Sequence, residues 1–182
     1  MNSVHAKNQR NLIIIILWGL VFSKCLTLEY LIQIYSIPIN SFVYIWTLTL
    51  AMASAATITF FRTHATKANL PKTVSIIHIV WLGCGIVSIF LIGISFLASV
   101  LNPYKIPTFL SIILGIGYLF HGILARRNTY IFSGVAWWIG AAILATRNNV
   151  ESLSIFAFLL IMLTVLPLLV EIRQQNKAFT QL

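Results

Sequence analysis

Long runs of this chain carry no charged side chain, and this feature limits its possible folds more than any other. No Asp, Glu, Lys or Arg occurs in residues 30–61, 73–104, 106–125, 128–146 or 152–170. A water-soluble domain needs polar groups on its exposed faces, whereas about 20 apolar residues are needed to cross about 30 Å of bilayer hydrocarbon. Only 8% of the residues are charged, against roughly 25% in soluble proteins. The runs therefore predict an integral membrane protein.

The apolar runs predict an all-α, polytopic helical bundle with six transmembrane helices. Helices are expected because no backbone polar group can stay unpaired in lipid, and the alternating pattern of a β-barrel is absent. Proline removes a backbone donor, so Pro38 and Pro103 predict turns and Pro167 predicts a bend in the last helix. The expected spans, which form a single transmembrane domain over residues 1–182, are 12–33, 40–61, 74–100, 105–125, 129–146 and 150–172.

The positive charges predict the orientation of these helices. Nine of the 12 Lys and Arg residues lie in four clusters: Lys7 and Arg10; Arg62, Lys67 and Lys72; Arg126 and Arg127; Arg173 and Lys177. With six spans, all four clusters fall on one side, which leaves Lys105 and Arg147 on the other and Lys24 inside the first span. An excess of Lys and Arg in short loops marks the cytoplasmic side, so both termini are expected to be cytoplasmic. Basic residues confined to helix ends also argue against nucleic acid as a partner.

Small residues predict which helices pack closely, because they let helix backbones approach in lipid. They cluster in the second, fourth and fifth predicted spans, which are therefore expected to form the interior of the bundle. The clusters are Ala51, Ala53, Ser54, Ala55 and Ala56; Gly115, Gly117 and Gly122; and Gly134, Ala136, Gly140 and Ala141.

Four residues are candidates for binding a ligand. Lys24 lies near the middle of the first span, where a charge costs at least about 2.5–3.5 kcal/mol and commonly faces a cavity or a partner. Lys24 and Glu29, with Trp137 and Trp138 of the fifth span, would line a polar site in the outer half of the bundle. The alternatives are that Lys24 extends to the membrane surface or pairs with Glu29, and that the tryptophans only fill grooves between helices.

His78 and His121 are candidates for haem or metal ligation. In a helical hairpin that turns near residue 102 they would lie at similar depth, close to the cytoplasmic surface. Two imidazoles on neighbouring helices can hold a haem or a metal ion. The alternative is that each is an ordinary hydrogen-bonded histidine. No wider motif accompanies them, so no cofactor is predicted.

Several apolar segments resemble a known protein family. They are ILWG (16–19), HIVWLGCGI (78–86), LSIILGIGYLFHGILARRNTYIFSGVAWWIGAAI (110–143) and LPLL (166–169). In this order they resemble a family of small bacterial six-helix inner-membrane proteins with no assigned activity. The resemblance implies a location in the inner (cytoplasmic) membrane. It brings no binding residue, and Leu168 stands where members of the family tend to have glycine.

The functional prediction depends partly on missing motifs. The chain has no HExxH, GxSxG, Walker or CxxC pattern and no Asp, so it is expected not to be an enzyme. The leading hypothesis is an accessory or regulatory subunit that acts through helix–helix contacts in the lipid bilayer, with another membrane protein or with itself. The alternative is a small-solute binding or transport protein, and the third hypothesis is a haem-binding membrane protein.

Overall fold

The computed structural model describes residues 3–38, 42–63, 72–98 and 102–180, and within these ranges all regular structure is helical. The helices are α1 (Ser3–Ile34), α2 (Leu48–Thr63), α3 (Lys72–Ala98), α4 (Ile106–Ala125), α5 (Asn128–Ala145), α6 (Glu151–Leu160) and α7 (Leu166–Thr180). The π-helical segments Phe42–Thr47 and Ile161–Val165 precede α2 and α7, and the 3-10 turn Pro103–Lys105 precedes α4. The predicted all-α class is confirmed.

Four helical stretches are long and apolar enough to cross a membrane. They are Leu12–Ile34, Ile106–Ala125, Asn128–Ala145 and Glu151–Arg173, and each agrees with a predicted span to within one residue at either end. The predicted spans 40–61 and 74–100 contain shorter apolar helices, Ile45–Thr59 and Ile79–Ile92. These helices indicate a membrane protein, while the count of six spans stays a prediction.

The chain divides into two units. The first comprises Met1–Asn69 and Leu160–Leu182, and the second comprises Leu70–Leu159. In the first unit, α1 lies against α2, where the indole Nε1 of Trp18 donates a hydrogen bond of 3.1 Å to the hydroxyl of Thr57. The same helix packs on the π-helical segment before α7. There, a Cβ added at Gly19 would lie 3.0 Å from the side chain of Val165.

The second unit is built around the antiparallel pair α4 and α5, which pack with almost no space between their backbones. A Cβ added at Gly134 would lie 2.9 Å from the carbonyl oxygen of Gly115, and one at Gly122 would lie 2.7 Å from the backbone nitrogen of Ile131. Arg126 closes α4 with a positive φ of 53°, a left-handed conformation that commonly ends helices. The close packing expected of the fourth and fifth spans is therefore present.

The small residues of the second predicted span do not all lie inside. Ala53 is buried, whereas Ala51, Ala55 and Ala56 are exposed. The expectation that this stretch forms the interior is therefore met by Ala53 but not by the other three alanines. The physical reason is that consecutive residues turn by about 100° around a helix, so a continuous small-residue stretch covers every face.

Lys105 connects the start of α4 to the end of α5. The Arg126–Arg127 turn lies at the other end of this helix pair. Its Nζ donates hydrogen bonds of 2.8 and 3.4 Å to the carbonyl oxygens of Ala145 and Arg147. A cation at this position also compensates the partial negative charge at the C-terminus of α5. Lys105 and Arg147, which the sequence places on the same side of the membrane, thus share one end of this unit.

Most of the other predicted topology-setting residues also lie near helix ends. Lys7 and Arg10 precede the apolar part of α1, Arg62 lies in the last turn of α2, Lys72 begins α3, Arg173 ends the last candidate span and Lys177 lies in the last turn of α7. Lys67 lies outside the described residues.

A π-helical turn directly precedes the part of the last helix in which a bend is predicted at Pro167, and the bend itself stays a prediction. The segment Ile161–Val165 lies directly before α7, in which Pro167 is the second residue. Proline lacks a backbone N–H, and its ring crowds the carbonyl four residues earlier. A wider turn at that position relieves the crowding.

Candidate functional site

The carboxylate of Glu29 is held by two neutral donors. The side-chain amide of Gln33, one turn further along α1, donates to Oε1 at 2.9 Å. The indole of Trp46, in the π-helical segment before α2, donates to Oε2 at 3.3 Å. Both carboxylate oxygens therefore have partners, and neither partner carries a charge.

Lys24 does not neutralise Glu29. Its side chain is exposed, and no ion pair between the two residues occurs in this described part of α1. Five residues along a helix correspond to about 140° around its axis, so the two side chains leave α1 on different faces. The structure does not support the ion-pair alternative, and the exposed position suits a long side chain that extends towards the membrane surface.

Three aromatic rings follow one another from Glu29 towards the start of α1, and the first of them, Trp46, bonds the carboxylate. The ring of Phe22 lies 6.1 Å from that of Trp46 and 5.8 Å from that of Trp18, measured between centroids. Spacings of four and seven residues place Trp18, Phe22 and Glu29 on one face of α1. The carboxylate thus lies at the end of an aromatic row. We use the name Glu29 site for four residues: Glu29, Gln33, Trp46 and Phe22.

Sequence reasoning found Glu29 but missed Trp46 and Phe22. A signal was present, because Glu29 and Trp46 are 9 residues before and 8 residues after Pro38. A hairpin that turns near this proline brings the two residues to the same depth. The face on which each side chain lies could not be obtained from this count.

The two adjacent tryptophans of α5 lie in different surroundings. Trp137 is fully buried, with its ring 5.7 Å from that of Phe156 in α6. Trp138 is 45% exposed, and its Nε1 donates at 3.4 Å to the carbonyl oxygen of Ile112 in α4. The two side chains therefore have different neighbours, one in α6 and the other in α4.

An open groove of about 310 Å³ lies beside Trp138. Its lining residues are Thr108, Ile112, Trp138, Ala141, Ala142 and Ala145. Thr108 supplies the one hydroxyl group of this lining, and its Oγ1 is buried with no hydrogen-bond partner among the residues that the structure describes. Among the predicted ligand-binding residues, only Trp138 lines the groove.

Neither unit brings the four predicted ligand-binding residues together. Lys24 and Glu29 belong to the first unit, and Trp137 and Trp138 belong to the second. A pocket formed by all four stays a prediction.

His121 lies in an aromatic cluster. Its Nδ1 accepts a hydrogen bond of 3.2 Å from the indole Nε1 of Trp81, and its ring stacks on Tyr130 with centroids 4.2 Å apart. An indole N–H can only donate, so Nδ1 carries no proton in this arrangement. His78 lies in α3, but its side chain is outside the described residues. Ligation of a haem by the two histidines stays a prediction.

Gly83 and Gly85 are open positions on α3. A Cβ added at either glycine would have no atom within 4 Å. The two glycines lie about 160° apart around the helix axis, so they belong to different faces. The side chains of Leu82 and Ile86, next to Gly83, are large, apolar and exposed. We call Gly83, with Leu82 and Ile86 beside it, the α3 notch.

The opposite face of α3 packs on α4. A Cβ added at Gly117 would lie 3.2 Å from the sulfur of Cys84 and 3.4 Å from the ring of Trp81. Gly117 thus serves a helix–helix contact, while the described part of the second unit places no atom within 4 Å of a Cβ added at Gly83. Sequence reasoning did not identify this face.

Comparisons with protein-family models, characterised proteins and solved structures find no match to this chain. The resemblance to small bacterial six-helix proteins therefore stays a prediction.

Proposed function

We propose that the protein is a non-enzymatic membrane subunit that acts through helix–helix contacts, with the α3 notch as a docking surface. The observation that supports this proposal is the open space at Gly83. Glycine inside a helix is about 0.5–1 kcal/mol less favourable than alanine. Nothing that packs on α3 within its unit requires glycine at this position. A helix of another membrane protein that packs closely on α3 would require glycine there.

The physics of lipid supports this interpretation. Lipid tails are as apolar as leucine, so helices associate in a bilayer through close packing instead of through exclusion from water. Glycine removes the side chain that would keep two backbones apart, as Gly115 and Gly134 do between α4 and α5. The α3 notch offers the same feature at Gly83, with the exposed side chains of Leu82 and Ile86 beside it.

We further propose an orientation for the protein in the inner membrane. In this proposal six helices span the bilayer and both termini are cytoplasmic. The arrangement of the second unit supports it, because Lys105 binds the end of α5 near Arg147, away from the Arg126–Arg127 turn. The two ends of this helical pair then face opposite sides of the membrane.

A photo-crosslinking experiment tests the docking surface. A benzophenone amino acid is placed at Leu82, which is 65% exposed, and intact membranes are irradiated. We expect a discrete adduct with another membrane protein, and we expect Gly83→Leu in the same background to abolish it by filling the notch. The matched control places the probe at Phe132, which is 72% exposed on α5 and should give no discrete adduct.

The size of the adduct distinguishes the partners. A product of twice 20.4 kDa would identify a second copy of this chain. The same adduct in the Gly83→Leu variant, or no adduct at Leu82, would contradict docking at the notch.

A further inference from the structure

We propose that the Glu29 site binds a hydrophobic organic cation, with the carboxylate as counter-charge and the rings of Trp46 and Phe22 as walls. This inference is independent of docking at the α3 notch. It assigns a chemical class of ligand to a site that contains a single acidic group.

The charge of Glu29 is the first argument. Glu29 lies inside the candidate span Leu12–Ile34, five residues or about 7.5 Å from its end. Ionisable groups at such depth are costly and normally face a partner. The donors to Glu29 are an amide and an indole, and Lys24 leaves α1 on another face. The negative charge therefore has no cation beside it in the described part of the first unit.

The aromatic rings are the second argument. Cations are attracted to the faces of Trp and Phe rings within about 6 Å. The rings of Phe22 and Trp46 are inclined at 56° with centroids 6.1 Å apart. Trp46 also donates its N–H to the carboxylate, which fixes its ring beside the charge. Phe22, Trp46 and Glu29 are each partly exposed.

The chemistry of the site selects an organic cation over a metal ion. Calcium and magnesium take about six or more oxygen ligands, whereas this site offers one carboxylate whose two oxygens already accept hydrogen bonds. A bulky quaternary cation needs no directional ligand. One negative charge and aromatic surface are sufficient for its recognition.

The test uses the full-length protein in mild detergent with tetraphenylphosphonium as the probe and tetraphenylborate as its anionic counterpart of similar shape. We expect the protein to bind the phosphonium and not the borate, measured by equilibrium dialysis. Glu29→Gln should weaken phosphonium binding at least tenfold, whereas Glu151→Gln, which removes an exposed carboxylate, should leave it unchanged. Trp46→Leu should weaken binding more than Trp46→Phe, which keeps an aromatic face.

Wild-type protein provides a second readout if the Glu29→Gln variant does not fold. A lipophilic carbodiimide should modify Glu29, and saturating tetraphenylphosphonium should protect it, as measured by mass spectrometry. Unchanged modification, equal binding by Glu29→Gln and wild type, or equal binding of the borate and the phosphonium would each overturn the proposal. A Gly83→Leu variant that loses its crosslink but still binds the phosphonium would separate this site from the docking surface.

Discussion

The indole Nε1 of Trp81 donates a hydrogen bond of 3.2 Å to Nδ1 of His121, 40 residues further along the chain. This bond joins α3 to α4, and the stacking of His121 on Tyr130 extends the connection to α5. One ring nitrogen of His121 is thus already used in the bond to α3, and the face of the ring contacts α5.

We expect the Trp81–His121 bond to appear as a coupling energy in a double-mutant cycle. Trp81→Phe and His121→Leu should each lower the free energy of unfolding. The double variant should lose about 0.6 kcal/mol less free energy of unfolding than the sum of the two single-variant losses. This value is the average for hydrogen bonds between membrane helices. Unfolding in mixed detergent micelles, followed by circular dichroism, measures the four stabilities.

Trp18 provides the control for this cycle, because it bonds Thr57 in the other unit. The Trp18–Thr57 bond involves neither residue of the Trp81–His121 bond, so Trp18→Phe and His121→Leu should be additive. A Trp81–His121 coupling that cannot be distinguished from zero would contradict a stabilising bond.

We expect glycine substitutions to have opposite effects in the two environments of the second unit. Gly134→Ala should lower the free energy of unfolding by about 1–3 kcal/mol, the usual cost of overpacking. Its new methyl group would lie 2.6 Å from Leu119 Cγ and 2.9 Å from the Gly115 carbonyl oxygen. Thermal unfolding in detergent is the measurement.

Gly85→Ala is the matched control for Gly134→Ala, because no atom lies within 4 Å of its added methyl group. We expect it to be neutral or to raise stability by up to about 1 kcal/mol, since alanine favours helix more than glycine does. Equal destabilisation by both substitutions would mean that the α4–α5 packing is not what requires glycine.

We expect the two ends of the α4–α5 pair to differ in accessibility across the membrane. Arg127→Cys and Arg147→Cys place thiols at these ends, and both positions are exposed. In intact cells a membrane-impermeant maleimide should label residue 147 at once and residue 127 only after permeabilisation. The positive-inside distribution is the reason for this expectation.

The wild-type chain is the control for labelling, because its thiols, Cys25 and Cys84, are buried and half-buried. Labelling of residue 127 before permeabilisation, or of both positions together, would refute the proposed orientation.

The spans could be read from the sequence because the requirement is local. A helix that crosses lipid needs an uninterrupted apolar length, and that length is visible in any window of about 20 residues. The predicted spans 105–125 and 129–146 accordingly match α4 and α5 to within one residue. A carboxylate inside an apolar run is equally visible, which is why Glu29 was recognised.

The partners of Glu29 depend on how α1 meets the following segment, and only the tertiary structure decided them. Trp46 and Phe22 are ordinary aromatic residues in apolar runs, and no local pattern distinguishes them from residues that face lipid. The neighbouring tryptophans of α5 show the same limit, because one is buried against α6 while the other lies beside a groove.

The sequence by itself determined the all-helical class and the bounds of four apolar spans, because these follow from apolar length. It also predicted six spans and their orientation from charge at the helix ends. The tertiary structure decided which face of each helix is occupied. Gly134 and Gly83 are the same residue in the same kind of helix, yet one contacts a neighbouring backbone and the other is open. In lipid every face of a span is apolar, so the pattern that marks the buried face of a soluble helix is missing.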